Sequence, residues 1–375
     1  MNKHFEFHHQ APAPVRSDYG IGVVGSGFIV RDVQLKAYAD AGFKVVAITS
    51  RTSESACEVA ALRNIPRAYH SLEEMLDVPA VEILDIAVPP HDQPRIVSLA
   101  VERGRHLKGL LAQKPLALNY AEAARLVRLC EEHHLPLAVN QNMRYDQSIR
   151  ALKTLLDRGT LGDPVLATIE MRAVPHWQSW LEEYGRLTLL NMSIHHIDCF
   201  QFLFGTPESI FVSVRKDPRT AFAHTDGICL YIIEYASGLR ASAWDDVWTG
   251  PRTEQDDMRP YIKWRVEGTK GLAEGTIGWP EYPNRVPSTL TYTSTDNPGL
   301  WITPRWREVW FPDAFQGPMA ALMDAITERR EPEISGRANL ATMAAVEAGY
   351  RSIDERRSVS LSEITSPAAL NDPPR

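Results

Sequence analysis

Apolar and polar positions divide the chain into two textures. From Tyr19 to about Asn142, short apolar runs alternate with stretches of helical spacing. The runs are 21–24 (IGVV), 44–49 (KVVAIT), 83–88 (ILDIAV), 106–112 and 137–140. Helical spacing extends to about 41 and recurs near 53–62, 92–103 and 120–133. Strands separated by helices of about 10–14 residues predict βαβ units, and right-handed crossovers make them a doubly wound parallel sheet.

The second half reads differently. A helix at about 146–158, punctuated by Gly159 and Gly162, leads into runs at 165–173, 210–214, 228–235, 240–248 and 263–268 with partial alternation. Helices interrupt or close the series at about 190–204, 315–329 and 338–356. Neighbouring strands joined through turn residues predict a largely antiparallel sheet. The expected fold is therefore α/β: an N-terminal doubly wound domain of Rossmann type over 18–142, then a C-terminal α/β domain with an open, largely antiparallel sheet over 143–357. The polar stretches 1–17 and 358–375 read as a flexible arm and a loose tail.

Composition narrows the function classes. Apolar residues make up 44% and charged residues 23% of 375, an ordinary globular balance. The formal charge is -7 and no Lys/Arg-rich run occurs, so nucleic acid is not an expected partner. The four cysteines are widely spaced without a CxxC pair, which indicates neither a disulfide framework nor a zinc knuckle. No apolar run reaches the length a bilayer span requires, and the first residues lack a secretory apolar region. A cytoplasmic location without membrane contact is the expectation by elimination.

The first candidate chemistry is Gly25-Ser26-Gly27, which follows a predicted strand and opens a helix. In a dinucleotide fingerprint the first glycine permits the tight turn and the second lets backbone approach a pyrophosphate at a helix N-terminus. Phe28 and Ile29 continue this turn as cofactor-binding candidates. Val30 occupies the third glycine position, so the fingerprint is incomplete. After the second strand the sequence is Thr49-Ser50-Arg51-Thr52-Ser53, with no carboxylate before Glu54. An acid there would bind the ribose of NAD; Ser50 and Arg51 suit the 2′-phosphate of NADP, and the reading leans to NADP over NAD. The bland alternative is a solvated Arg51 and a Ser53 that caps the next helix.

Three further stretches complete a pattern: Pro89-Pro90-His91 and Gln113-Lys114-Pro115, each after a strand, and Asn191-x-Ser193-x-His195-x-x-Asp198 on a helix. With the glycine turn, and with Asn142-Met143-Arg144-Tyr145 and Val266-Glu267-Gly268-Thr269-Lys270-Gly271, the chain from about 20 to 350 resembles the Gfo/Idh/MocA oxidoreductases. That resemblance implies hydride transfer between a hydroxyl-bearing carbon and a nicotinamide, on a small polyhydroxylated substrate such as a sugar or cyclitol. It implies a homodimer or homotetramer packed through the C-terminal sheets. It also maps the family's catalytic lysine onto Lys114 and its acid–histidine pair onto Asn191 and His195. Pro89, His91 and Gln113 then border the cofactor, and Arg144 and Tyr145 lie at a junction that borders the substrate pocket.

The chemistry is sensible residue by residue. Oxidising an alcohol requires a base within hydrogen-bond reach of its proton. A desolvated lysine at a strand end can lose its proton near neutral pH, and histidine titrates in the range needed to share it. Asn191 and His195, four apart, share one helical face. Gln113 stands where the family has Glu, Asn191 where it has Asp, and Ser193 where it has Gly; an asparagine can bind a hydroxyl or orient His195 but cannot hold a cation by charge. These departures keep two alternatives open, a non-catalytic nucleotide or sugar sensor and an NAD-dependent glycoside-cleaving enzyme.

Other polar residues have simpler expectations. Adjacent His195 and His196 face different ways on a helix, so no metal is expected, and Asp198, one helical turn from His195, is read as structural or as orienting its imidazole. Trp177 and Trp180 are candidates to cover a sugar face. Asp245-Asp246 and Asp256-Asp257 read as solvated loops or a polar rim.

Overall fold

The computed structural model describes residues 6–173, 184–219, 223–246, 260–279 and 281–366. The chain divides into two compact units, one of 11–142 with 312–343, the other of 1–10 with 143–311 and 344–375.

In the first unit, strands β1 (Ile21–Val24), β2 (Val45–Thr49), β3 (Arg67–Ala68), β4 (Ile83–Ile86), β5 (Gly109–Ala112) and β6 (Leu137–Val139) form one sheet. Their order is β3-β2-β1-β4-β5-β6 and every pairing is parallel. The order reverses between β1 and β4, the switch point where a doubly wound sheet opens a crevice at its carboxyl ends. β1, β4, β5 and β6 are buried along their whole length, because crossover helices cover both faces. This explains their apolar runs, broken only by Asp85 in β4.

One covering helix comes from far along the chain. Gln316–Glu328, expected in the C-terminal domain, packs on β5 in the N-terminal unit. A Cβ at Gly109 would come within 2.8 Å of Ile326 and 3.1 Å of Leu322, so the helix approaches β5 closely where that strand lacks a side chain.

An acid is buried in this core. Asp85 on β4 accepts from the Tyr38 hydroxyl at 2.9 Å and from the Gln34 amide. Desolvation pushes its carboxyl up to about 7 against these two donors.

The second unit is built on eight strands: β7 (Pro164–Arg172), β8 (Ser209–Arg215), β9 (Ile228–Glu234), β10 (Arg240–Asp246), β11 (Tyr261–Gly268), β12 (Gly271–Thr276), β13 (Thr289–Ser294) and β14 (Val359–Ser360). Their order is β13-β12-β11-β7-β10-β9-β8-β14. All neighbours pair antiparallel except β7 and β10, which run parallel. Period-2 alternation sends Ala167, Ile169, Met171, Tyr231, Ile233, Ala243 and Trp264 inward. Helix Gln147–Asp157 is tied to this face where the Trp264 indole donates to Ser148 Oγ at 3.0 Å. On the opposite face Leu166, Phe211, Leu230, Ile232 and Trp244 remain 39–52% exposed.

The chain ends are held more firmly than their polarity suggests. Within the C-terminal unit Phe7 meets Tyr292 edge-on and His9 stacks on Trp306, with ring centroids 5.6 Å apart. In the N-terminal unit the Val15 amide donates to Asp324 at 2.7 Å. At the other end, Val359 is fully buried in β14 and Ser362–Thr365 forms a short helix, so the segment expected to be loose from Ser358 is ordered beyond it.

Candidate active site

The glycine turn sits at the switch point. Gly25, directly after β1, has φ +122°, and a Cβ there would lie 2.3 Å from the Ala87 carbonyl oxygen. Both constraints demand glycine. A Cβ on Gly27 would meet nothing within 4 Å, so its outer side is open. Phe28 is 40% exposed beside it. This is the cradle a pyrophosphate requires: a backbone turn without side chains at the start of a helix. The residues present fit a dinucleotide.

Behind the turn, Ser50 belongs to a hydroxyl cluster whose members Ser26 and Ser55 sequence patterns did not announce. Ser50 donates to the Thr52 carbonyl at 2.8 Å and shares a 2.7 Å hydrogen bond with Ser55, while Ser26 donates to Ser55 at 3.1 Å. Thr52 caps helix Ser53–Arg63 by accepting from the Ser55 amide, so the cap is Thr52 rather than Ser53. Arg51 is exposed next to this cluster.

At the end of β4, Pro89 is half-buried, while His91 is exposed and lies 3.3 Å from Asp92. The following helix, Gln93–Arg103, begins with the residue that organises the lysine loop. Gln93 is fully buried; its amide nitrogen donates to the carbonyls of Gln113 and Pro115 at 3.0 and 2.8 Å, and its oxygen accepts the Gln113 amide at 2.9 Å. The Gln113 side chain in turn accepts the Lys114 amide at 2.9 Å. Backbone on both sides of Lys114 is thus clamped. Burial pulls the Lys114 ammonium down to about 7, because surrounding protein desolvates the charged form. Sequence reasoning singled out Gln113 and Lys114 in this loop; Gln93, twenty positions upstream, carried no signal.

In the C-terminal unit a wide π-helical turn, Leu189–Ser193, runs into helix Ile194–Phe204. π-turns mark functional positions more often than ordinary helix does. Asp226 fixes its start, accepting the Leu187 and Leu189 amides at 2.6 and 3.0 Å and the Tyr350 hydroxyl at 3.1 Å. Asn191 is 4% and His195 5% exposed. The His195 ring meets Trp310 edge-on, with centroids 6.0 Å apart at 87°.

The reading of the acidic pair at 245–246 needs correction. Asp245 is not a solvated rim residue: it is 1% exposed on β10, where Ser193 donates to it and the His196 ring nitrogen lies 3.0 Å away. Asp246 is likewise buried and receives Arg219 at 2.8 Å. Asp198 is structural in the form of a buried ion pair with Arg144. The guanidinium donates in a fork at 2.8 and 2.5 Å, with the side chains 6% and 1% exposed. Asp198 thereby anchors the His195 helix. Tyr145 is 2% exposed, with the Arg150 guanidinium over its ring at 5.6 Å. Trp177, Trp180 and Asp256-Asp257 lie outside the described residues.

Among the described residues no three His, Cys, Asp or Glu side chains gather as metal ligands, and no helix is long and apolar enough to cross a membrane.

A glycine turn at the switch point of a parallel sheet, with a desolvated lysine two strands away, defines the class: a dinucleotide-binding α/β oxidoreductase. Residues 19–141 match the description "Oxidoreductase family, NAD-binding Rossmann fold" and residues 153–361 match "Oxidoreductase family, C-terminal alpha/beta domain". The chain belongs to the Gfo/Idh/MocA family of oxidoreductases. It is 27% identical over 354 residues to the D-apiose dehydrogenase of Paraburkholderia graminis, covering 92% of this chain and 90% of that one. It is 28% identical over 262 residues to the mouse trans-1,2-dihydrobenzene-1,2-diol dehydrogenase, covering 68% and 73%. An oxidoreductase from Agrobacterium radiobacter, solved with NAD+, L-tartaric acid and magnesium, has the same fold with a TM-score of 0.79 at 22% identity, over 92% of this chain and 99% of that one.

Proposed function

We propose that this enzyme transfers hydride between NAD(P) and a hydroxyl-bearing carbon of a sugar, cyclitol or related polyol, with Lys114 and His195 handling the proton. The observation that carries the reading is the Lys114 ammonium, drawn to about 7 by burial in a loop clamped by Gln93. A base poised near operating pH is the one an alcohol oxidation needs. When bound, the nicotinamide accepts the hydride; the protein's part is placement and proton transfer. Neutral Lys114 takes the hydroxyl proton at Nζ, and His195 shares it through its imidazole. Asn191 orients a substrate hydroxyl by hydrogen bonding, being neutral. The relatives named for D-apiose and for a cyclic diol support the substrate class.

Gly25, Gly27, Phe28 and Ile29 hold the pyrophosphate, and Pro89, His91 and Gln113 border the nicotinamide. Ser50 and Arg51 meet the 2′-phosphate, which makes NADP the preferred cofactor. Fluorescence titration of the purified enzyme tests this directly. NADPH binds more tightly than NADH, and Arg51→Ala removes most of that preference, about tenfold, while NADH affinity stays unchanged. Tighter NADH binding by the wild type overturns the Arg51 reading and leaves the dehydrogenase intact. Binding of neither overturns the proposed function.

The open sheet face is read as the contact with a second copy. Cross-strand register brings Phe211 beside Ile232 and Leu230 beside Trp244, one continuous apolar patch. The same face carries Glu170 opposite Lys263 and Arg265 opposite Glu274, so both charge signs are available to a two-fold-related copy. Trp244→Glu is expected to lower the mass seen by light scattering from a dimer or tetramer toward a monomer. A wild type already monomeric at micromolar concentration defeats this reading.

A further inference from the structure

The N-terminal unit buries one acid that the proton chemistry does not use. Asp85 lies in mid-sheet on β4, 1% exposed, opposite Val23 of β1 on one side and Leu111 of β5 on the other. Its hydrogen-bond donors come from the segment that follows the glycine turn. That segment opens as a π-turn, Ile29–Gln34, and becomes an ordinary helix over Leu35–Asp40. Gln34, the last residue of the π-turn, is 1% exposed and uses both ends of its amide. The nitrogen donates to Asp85 Oδ2 and to the Tyr38 hydroxyl at 3.0 Å, and the oxygen accepts from Asn140 Nδ2 at 3.2 Å. The Tyr38 hydroxyl donates to the same Asp85 oxygen at 2.9 Å. Among the described residues Tyr38 is the one titratable group that bears on this carboxyl.

β4 therefore grips the dinucleotide segment at two points. Two residues beyond Asp85, the Ala87 carbonyl oxygen stands so close to Gly25 that a Cβ there would lie 2.3 Å away. At the other end of the π-turn, Asp85 holds Gln34. A π-turn is a departure from regular helix that needs support, and such turns gather at functional positions. Two donors converging on one oxygen favour a carboxylate, because an ionised acceptor makes hydrogen bonds roughly twice as strong as a neutral one. Desolvation works against that charge and holds the Asp85 carboxyl at about 7, so both of its forms are populated around neutrality.

We infer that Asp85 is a positioning residue for the dinucleotide: through Gln34 it fixes the π-turn behind Gly25, Gly27, Phe28 and Ile29, and it does so more firmly when ionised than when protonated. Asp85 touches no ligand itself. The cofactor binds the clamped form of the turn, so its affinity follows the fraction of Asp85 that is ionised. This inference rests on the dinucleotide part of the proposed function and is independent of the substrate.

The test is the pH dependence of NADH affinity, read by fluorescence titration. NADH is the probe because it lacks the 2′-phosphate, which titrates in the same range. Lys114→Met serves as the background, which removes the other buried group held at about 7. If the ionised form alone is competent, NADH binds about tenfold more weakly at about pH 6 than at about pH 8. Asp85→Asn, an isostere of the protonated acid, is expected to bind at the weaker level at both values. Gln34→Met, which cuts the link to the π-turn, is expected to do the same and carries the test if Asp85→Asn does not fold. Affinity that is independent of pH in the background, or that varies equally in all three proteins, overturns the inference while leaving the dehydrogenase reading standing. Binding of NADH at neither pH overturns both. Urea unfolding supplies a check with the opposite sign. Between the ordinary carboxylate value of 3.8 and about 7 the folded chain holds a proton that the unfolded chain has released, so Asp85 makes stability fall as pH rises across that window. Asp85→Asn is expected to make that dependence less steeply downward, and an identical pH dependence in wild type and variant shows that the carboxyl does not titrate there, which also overturns the inference.

Discussion

Replacing Lys114 with methionine is expected to lower kcat for alcohol oxidation about 10²- to 10⁴-fold, the range a positioned general base contributes. Methionine fills a similar volume without a titrating group, so the loop clamped by Gln93 keeps its shape. The wild type supplies a second readout. Because burial holds the Lys114 ammonium at about 7, the neutral base accumulates as pH rises through that value. Oxidation therefore accelerates with pH and levels off above it, whereas reduction, which needs the protonated form as acid, declines over the same window. Stability carries the same signature with a definite sign. The folded pKa lies below the ordinary lysine value of 10.5, so between about 7 and 10.5 the unfolded chain holds a proton that the folded chain does not. Unfolding free energy then rises with pH across that window, the penalty of a desolvated ammonium being fully present only below it. Lys114→Met removes this slope along with the activity. Full turnover in the variant would mean that another group takes the proton.

The second large effect concerns stability. Asp198→Ala is expected to cost about 3–5 kcal/mol in urea unfolding of the C-terminal unit, the range for breaking a buried ion pair by removing one partner. Arg144 then loses both arms of a fork that is almost wholly enclosed. Asp198→Leu combined with Arg144→Leu is expected to recover most of the loss, because an apolar pair carries no desolvation penalty. The double variant retains the helix while losing its anchor to Arg144. A single variant that unfolds like the wild type would show that the fork does not hold the His195 helix.

Much of the architecture was legible because it rests on local period. The strands at 21–24, 45–49, 83–86 and 109–112 are mostly apolar because the sheet's faces are covered, Asp85 being the buried acidic exception. Gly25 announced itself because no other residue tolerates its φ and its contact with Ala87. Lys114 and the Asn191/His195 spacing were legible as motifs, one at a strand end and the other on a helical face.

The remainder depended on distance along the chain. Helix Gln316–Glu328 has an apolar face that would suit either unit, and only packing on β5 assigns it to the first. Asp245 lies among strand residues whose polarity suggested an edge, yet alternation turns it inward to meet Ser193 and His196. Arg144 and Asp198 are 54 residues apart, and each alone reads as a functional charge until the other neutralises it. Gln93 has meaning only through what it faces, two carbonyls twenty positions and more downstream. By itself the sequence determined the family, the parallel and the largely antiparallel sheets and the identity of the candidate base, since these follow from periodicity and short motifs. Only the tertiary structure decided which polar side chains are spent on one another and which are left for a ligand, because burial and partnership are properties of the packed chain.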